Sequence, residues 1–159
     1  MKTKICLVLA LLLVVTVPLC AASGVDPVQS HERIAVGESI ERVSELKDDR
    51  ITVVSFIVEK GEKVKLRYEV EAMEEYGDDV IAWVIMPEEV YEDGIGNWDE
   101  DDFIDFGQGP FVHRTLFLDE PNVYYFIVAV DCLNQLTISY KVELEDATPA
   151  PAPSPTPTP

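Results

Sequence analysis

The 159-residue chain carries 30 acidic and 12 basic side chains, a net charge of −18, with 47% apolar residues and three cysteines. Such a field repels nucleic acid and anionic membrane surfaces, while it suits cationic partners, divalent metal or a salty environment. The length allows one ordinary domain with its own apolar core.

The first 22 residues read as an export signal. Lys2 and Lys4 form a positive start, residues 5–17 are apolar but for Thr16, Pro18 breaks the helix, and Cys20, Ala21 and Ala22 supply small residues for cleavage after Ala22. A retained membrane helix is the rival over residues 5–22, near the lower length limit for a span; the charged start, early proline and small-residue end favour cleavage. Lipid attachment at Cys20 is disfavoured, since Pro18 and Leu19 occupy positions where lipoprotein signals carry small residues. Loss of this segment would leave 10 cationic against 30 anionic side chains, a net −20, and Cys132 as the sole cysteine. A single cysteine makes no internal disulfide, so stability must come from packing.

Residues 23–32 are polar, contain Pro27, and are expected to lack regular structure. Residues 33–43, with Ile34, Val36, Ile40 and Val43 around Gly37, read as one or two short strands, a short helix over 39–46 being the alternative. Residues 47–50 form a charged turn. Residues 51–58 are apolar on both faces, and Glu59-Lys60-Gly61-Glu62 is a hairpin-type connection with glycine available for a positive φ. The clearest pattern follows: Val64, Leu66, Tyr68, Val70 and Ala72 alternate with Lys63, Lys65, Arg67, Glu69 and Glu71, a half-buried antiparallel strand with one wet face.

An acidic turn with Gly77 leads to a buried strand over 80–86, ended by Pro87. From 88 to 110 the regular pattern stops, in a long acidic stretch that includes Tyr91, Trp98, Phe103 and Phe106. A connection of that length in a compact domain is unusual and is often functional or flexible. Residues 111–118 return to strand, 119–122 turn, and 123–131 (Val-Tyr-Tyr-Phe-Ile-Val-Ala-Val-Asp) are apolar on both alternating faces, the mark of a central strand in a sheet covered on both sides. In residues 136–145, Leu136, Ile138, Tyr140, Val142 and Leu144 point inward. Residues 147–159 alternate proline with Ala, Ser and Thr, a polyproline spacer that serves as a stalk or a solvated tail.

The whole reads as an all-β, antiparallel, jelly-roll-like sandwich of about seven or eight strands over residues 33–146. Residues 56–70, a lysine–glycine turn entering an alternating strand, and residues 122–131, a tyrosine-rich strand ending in Asp131, together resemble a GOLD-type or pre-peptidase C-terminal-type β-sandwich. The resemblance implies a non-catalytic accessory or interaction domain of secreted or membrane-tethered proteins.

Three groups of residues invite chemistry. Asn97, Asp99 and Asp101 have the spacing that opens an EF-hand loop, but Asp102 stands where glycine is required and Gln108 at the closing position, which excludes an EF-hand. A looser calcium site using Asn97, Asp99, Asp101 and Asp102 remains the one cofactor candidate, beside the favoured reading of a solvated acidic loop. Tyr91 and Trp98 beside carboxylates suit stacking on sugar rings; the favoured reading is that Trp98 and the phenylalanines fold back to cap the open end of the core. Cys132 is a candidate free thiol, or a small core residue. His31 and His113 neighbour no nucleophile motif, so no catalytic residue is assigned. The expectation is an exported, secreted or cell-surface interaction module, monomeric or weakly oligomeric, that engages a protein or glycan without nucleic acid or stable membrane insertion.

Overall fold

A computed structural model of the chain describes residues 27–47, 50–73, 80–94, 97–131 and 135–149. The segment expected to be an export signal, Cys132 and the residues from 150 onward lie outside the described residues. Among the described residues nine strands form two facing sheets: β1 (Val28–Arg33), β2 (Ser39–Lys47), β3 (Ile51–Val58), β4 (Val64–Ala72), β5 (Val80–Pro87), β6 (Asp105–Gly109), β7 (Phe111–Leu118), β8 (Asn122–Asp131) and β9 (Gln135–Asp146). One sheet has the order β1-β3-β8-β5-β6 and the other β2-β9-β4-β7. From β2 onward this is the double Greek key of a jelly roll, with successive strands mostly switching sheets. All pairings are antiparallel except β1 with β3.

The burial pattern follows the residue pattern. In β4, Val64, Leu66, Tyr68 and Val70 are buried while Glu69 and Glu71 are exposed, and β9 repeats the alternation with Leu136, Ile138, Tyr140, Val142 and Leu144 inward. Gly61 turns the β3–β4 connection at φ +89°, which an L side chain rarely adopts. β8 holds the middle of the five-stranded sheet and is covered on both faces. Tyr124, Phe126, Val128 and Val130 join the core between the sheets, whereas Ile127 and Ala129 join a second cluster on the outer face. Each fully buried Val, Leu, Ile or Phe contributes about 1.5–3 kcal/mol.

Two expectations fail at the edges. Residues 28–32, expected to be irregular, form β1 together with Arg33, and the 88–110 stretch contains β6, a short helix α1 (Glu88–Glu92) and a 3-10 turn (Glu100–Asp102). The helical alternative for 39–46 is also overturned, since β2 pairs with β9 along its whole length. The cause is common to all three. These are the edges of the sandwich, where polar side chains face inward and blur the apolar alternation. Tyr140 and Arg42 stand opposite each other on β9 and β2, and both donate to Glu32 of β1, at 3.2 and 2.9 Å. On the far edge Tyr68 and Arg114 stand opposite each other on β4 and β7, and both donate to Asp105 of β6. Each sheet-to-sheet edge is thus closed by a tyrosine–carboxylate–arginine clasp.

Ser30 bonds Thr52, His31 bonds Ser55, and the Gln29 amide donates to the Glu45 carbonyl, which completes the anchoring of β1 by polar contacts. At the domain's end, the Ala147 amide donates to Lys63 and the Thr148 hydroxyl accepts from the Lys63 amide, so the first tail residues are still tied to the sandwich.

β6 is tolerated against β5 because Gly107 leaves room for Trp83. A Cβ at position 107 would lie 2.6 Å from the indole. Gly107→Ala is therefore expected to cost about 1–3 kcal/mol by overpacking; an unchanged urea midpoint would contradict this packing.

Burial first, and then the nearby carboxylates, raises Tyr68, Tyr124, Tyr125 and Tyr140 above the ordinary tyrosine value near 10. Between pH 10 and these raised values the native state holds more protons than the unfolded state, so stability is complete below pH 10 and falls above it. For the buried Tyr68 and Tyr140 the slope is up to about 1.4 kcal/mol per pH unit each. Absorbance of the phenolates should show Tyr68 and Tyr140 ionising late and together with unfolding; ordinary titration of these two in the folded protein would contradict the clasps.

Candidate functional site: the acidic lobe and the free edge of β7

The sequence directs attention to the lobe after β5. Its aromatic residues do fold back, though onto the outer face of the five-stranded sheet rather than over the open end of the core. Tyr91, Trp98, Phe103 and Phe106 pack on Ala82, Val84, Met86, Ile127 and their neighbours. Tyr91 of α1 stacks on Tyr125 at 3.9 Å with planes 4° apart, Trp98 meets Phe103 edge-on at 6.5 Å, and Phe103 meets Phe106 at 5.8 Å. Tyr91 and Trp98 are each half-buried in this layer. They come together, 6.3 Å between ring centres, as parts of one apolar cover.

The candidate metal ligands are placed differently. The Asn97 amide donates to the Asp93 carbonyl at 2.7 Å, and Asp99 caps the 3-10 turn by accepting from the Asp101 amide at 3.2 Å. Asp101 and Asp102 sit on that turn in solvent. Among the described residues no group of three or more His, Cys, Asp or Glu side chains is brought together to hold a metal ion. Of the other carboxylates here, Glu89 is held below its ordinary range chiefly by the Asn122 amide at 3.0 Å. A shallow depression near the β2–β9 end is lined by Glu38, Glu143, Glu145 and Asp146, whose charges are largely spoken for: Glu38 accepts from the Ala35 amide, Asp146 from the Thr148 amide, and Glu143 and Glu145 pair with Lys141, Lys65 and Arg67.

A second surface escapes the sequence reading. The outer face of the four-stranded sheet is wet and laced with ion pairs: Lys65 and Arg67 to Glu145 at 2.9 Å each and Lys141 to Glu143 at 2.7 Å, with the His113 ring 3.5 Å from the Glu69 carboxylate. Exposed pairs of this kind contribute little to stability. On the edge strand of this face, β7, the outward side chains are Phe111, His113, Thr115 and Phe117. Phe111 is 68% exposed and Phe117 58%. Lys63 lies over the Phe117 ring at 5.6 Å.

β7 contains no carboxylate, although nearly a fifth of the chain is acidic. β3 and β5 share that property but are interior strands, so in them it reflects burial. This is the signal in the sequence that could have found the surface: an acid-free strand with phenylalanine on its wet face.

The backbone of β7 has a defined polarity at the edge. The Ala72 amide donates to the Pro110 carbonyl at 3.1 Å, which makes residues 110 and 72 a hydrogen-bonded pair. Antiparallel pairs alternate, so Val112, Arg114, Leu116 and Leu118 direct their N–H and C=O groups to β4. Phe111, His113, Thr115 and Phe117 direct theirs away from it. Among the described residues no strand pairs with that side. Arg114 is held by Asp105 on the inner face and lies 5.6 Å from the Trp83 ring, which keeps the middle of the strand in place.

No family model and no curated protein matches the chain. Among solved structures it is similar to the pre-peptidase C-terminal domain of collagenase from Bacillus anthracis, at 18% identity over 72% of this chain and 94% of that one, with a TM-score of 0.48. It is also similar to PliG from Aeromonas hydrophila, a periplasmic lysozyme inhibitor of g-type lysozyme, at 9% identity over 73% of this chain and 98% of that one, with a TM-score of 0.43. The first is a domain of the type that the residue pattern resembles.

Proposed function

We infer that the chain is an exported, non-catalytic β-sandwich module that works at the cell surface or outside the cell by binding another polypeptide along the free edge of β7. The observation that carries this reading is the pairing of two features on one strand: exposed Phe111 and Phe117, and a row of outward-facing backbone donors and acceptors. Natural proteins usually blunt such an edge with charge, proline or a bulge. Here the strand runs its eight residues without an acid or a proline, and its arginine, Arg114, is neutralised by Asp105 on the inner face. Edge addition supplies affinity through main-chain bonds and specificity through alternate side chains, and the two phenylalanines are anchors of the kind that dominate interfaces. Export is supported by Lys2 and Lys4 before the apolar run of residues 5–17.

The reading is tested by placing a photo-crosslinking phenylalanine analogue at position 117 or at position 98 in the cells that make the protein. An adduct from position 117, with none from position 98, is expected. Adducts from position 98 alone would move the binding surface to the aromatic lobe and overturn the assignment to β7.

A further inference from the structure

The wet face of β7 is symmetric in its residues. Phe111, His113, Thr115 and Phe117 are disposed evenly about Arg114, so the strand reads similarly in both directions along that face. We propose that the occupant of the β7 edge is a second copy of this chain, paired antiparallel about a two-fold axis through Arg114. This rests on the reading of β7 as the binding edge and goes beyond it by naming the partner.

Three observations carry the proposal. The first is hydrogen-bond parity. With Arg114 opposite its own copy, Phe111 falls opposite Phe117 of the second chain and His113 opposite Thr115. These are the residues whose backbone groups point away from β4, so each such pair exchanges both of its bonds. A shift of one residue would set inward-directed groups against outward-directed ones and lose the ladder.

The second is side-chain complementarity. In this register the exposed rings of Phe111 and Phe117 meet across the dyad, twice, on one continuous outer face, and aromatic cross-strand pairs stabilise such a junction. The self-complementary patch is what a two-fold interface demands.

The third is charge. Two copies of so acidic a chain repel each other, yet the strand that would make contact carries no carboxylate. The two Arg114 side chains would face each other at the dyad on the inner side, where each is already paired with its own Asp105. Dimer formation should therefore strengthen as salt screens the long-range repulsion. An eight-residue edge pairing covers less than the roughly 1,600 Å² of a standard interface, so the association is a weak one.

The experiment is sedimentation equilibrium of the exported chain from about 10 μM to 1 mM at low and high salt, a range suited to weak interfaces. The wild type is expected to show a monomer–dimer equilibrium that shifts to dimer as salt rises. F117E should weaken the dimer about tenfold or more, a loss of roughly 1.4 kcal/mol or more, without changing the thermal midpoint of the dilute protein. Combining F117E with F111K sets opposite charges across the dyad and should restore it. Thr115→Pro, which removes an outward N–H but none that β4 uses, should leave a folded monomer.

A wild type that stays monomeric at the highest concentration and salt would overturn the proposal, as would dimers that F117E leaves intact. If the crosslink from position 117 captures a different polypeptide while the purified chain stays monomeric, self-pairing is refuted and the binding role of the edge stands.

Discussion

The sandwich depends on how its two open edges are closed. At each one a tyrosine and an arginine, directly opposite on adjacent strands of the four-stranded sheet, converge on a single carboxylate from the edge strand of the other sheet: Tyr140 and Arg42 on Glu32, Tyr68 and Arg114 on Asp105. The tyrosine rings lie wholly in the core, with Tyr68 0% and Tyr140 2% exposed, and only their hydroxyls need a partner. A buried hydroxyl without an acceptor costs about 1–3 kcal/mol. The carboxylate meets that need, and the arginine on the rim neutralises it where water still reaches. Each clasp also sets a register, because its two donors stand at one cross-strand position and its acceptor at another.

The clasps explain why the two sheet faces differ. The interior strands of the five-stranded sheet, β3, β8 and β5, are apolar on both sides, and the lobe after β5 packs on its outer side with Tyr91, Trp98, Phe103 and Phe106. The four-stranded sheet has one apolar face, turned to the core, and one wet face of ion pairs. Its edge strand β7 is pinned from the inside by Arg114, in contact with Asp105 and Trp83, while Phe111 and Phe117 project on its outer face. The tie that closes the sandwich is also what holds the binding edge in place.

Much of this was legible in the residue pattern. The alternation in β4 and β9 gave a wet and a dry face, and the doubly apolar run of β8 gave a central strand, now found in the middle of its sheet. What stayed hidden has a common cause. β1 and β6 are the strands that bring Glu32 and Asp105 inward, so the residues that make them structurally necessary are those that broke the apolar period. The ligand candidates of the lobe were chosen by residue type. Spacing along the chain could not tell that Asp99 would cap a turn or that Tyr91 would stack on Tyr125, because both depend on how the chain returns to the sheet. Phe111 and Phe117 were visible, but only the pairing of β7 with β4 shows that they face water.

Amide hydrogen exchange along β7 tests the account most directly, because it reads the edge and its occupant residue by residue. The amides of Val112, Arg114 and Leu116, bonded to β4, should exchange slowly at every concentration. Those of His113, Thr115 and Phe117 should exchange fast in dilute solution and slow as concentration rises. Protection of the odd-numbered amides in dilute solution, or rapid exchange of them at every concentration, would contradict a free edge that pairs with its own copy.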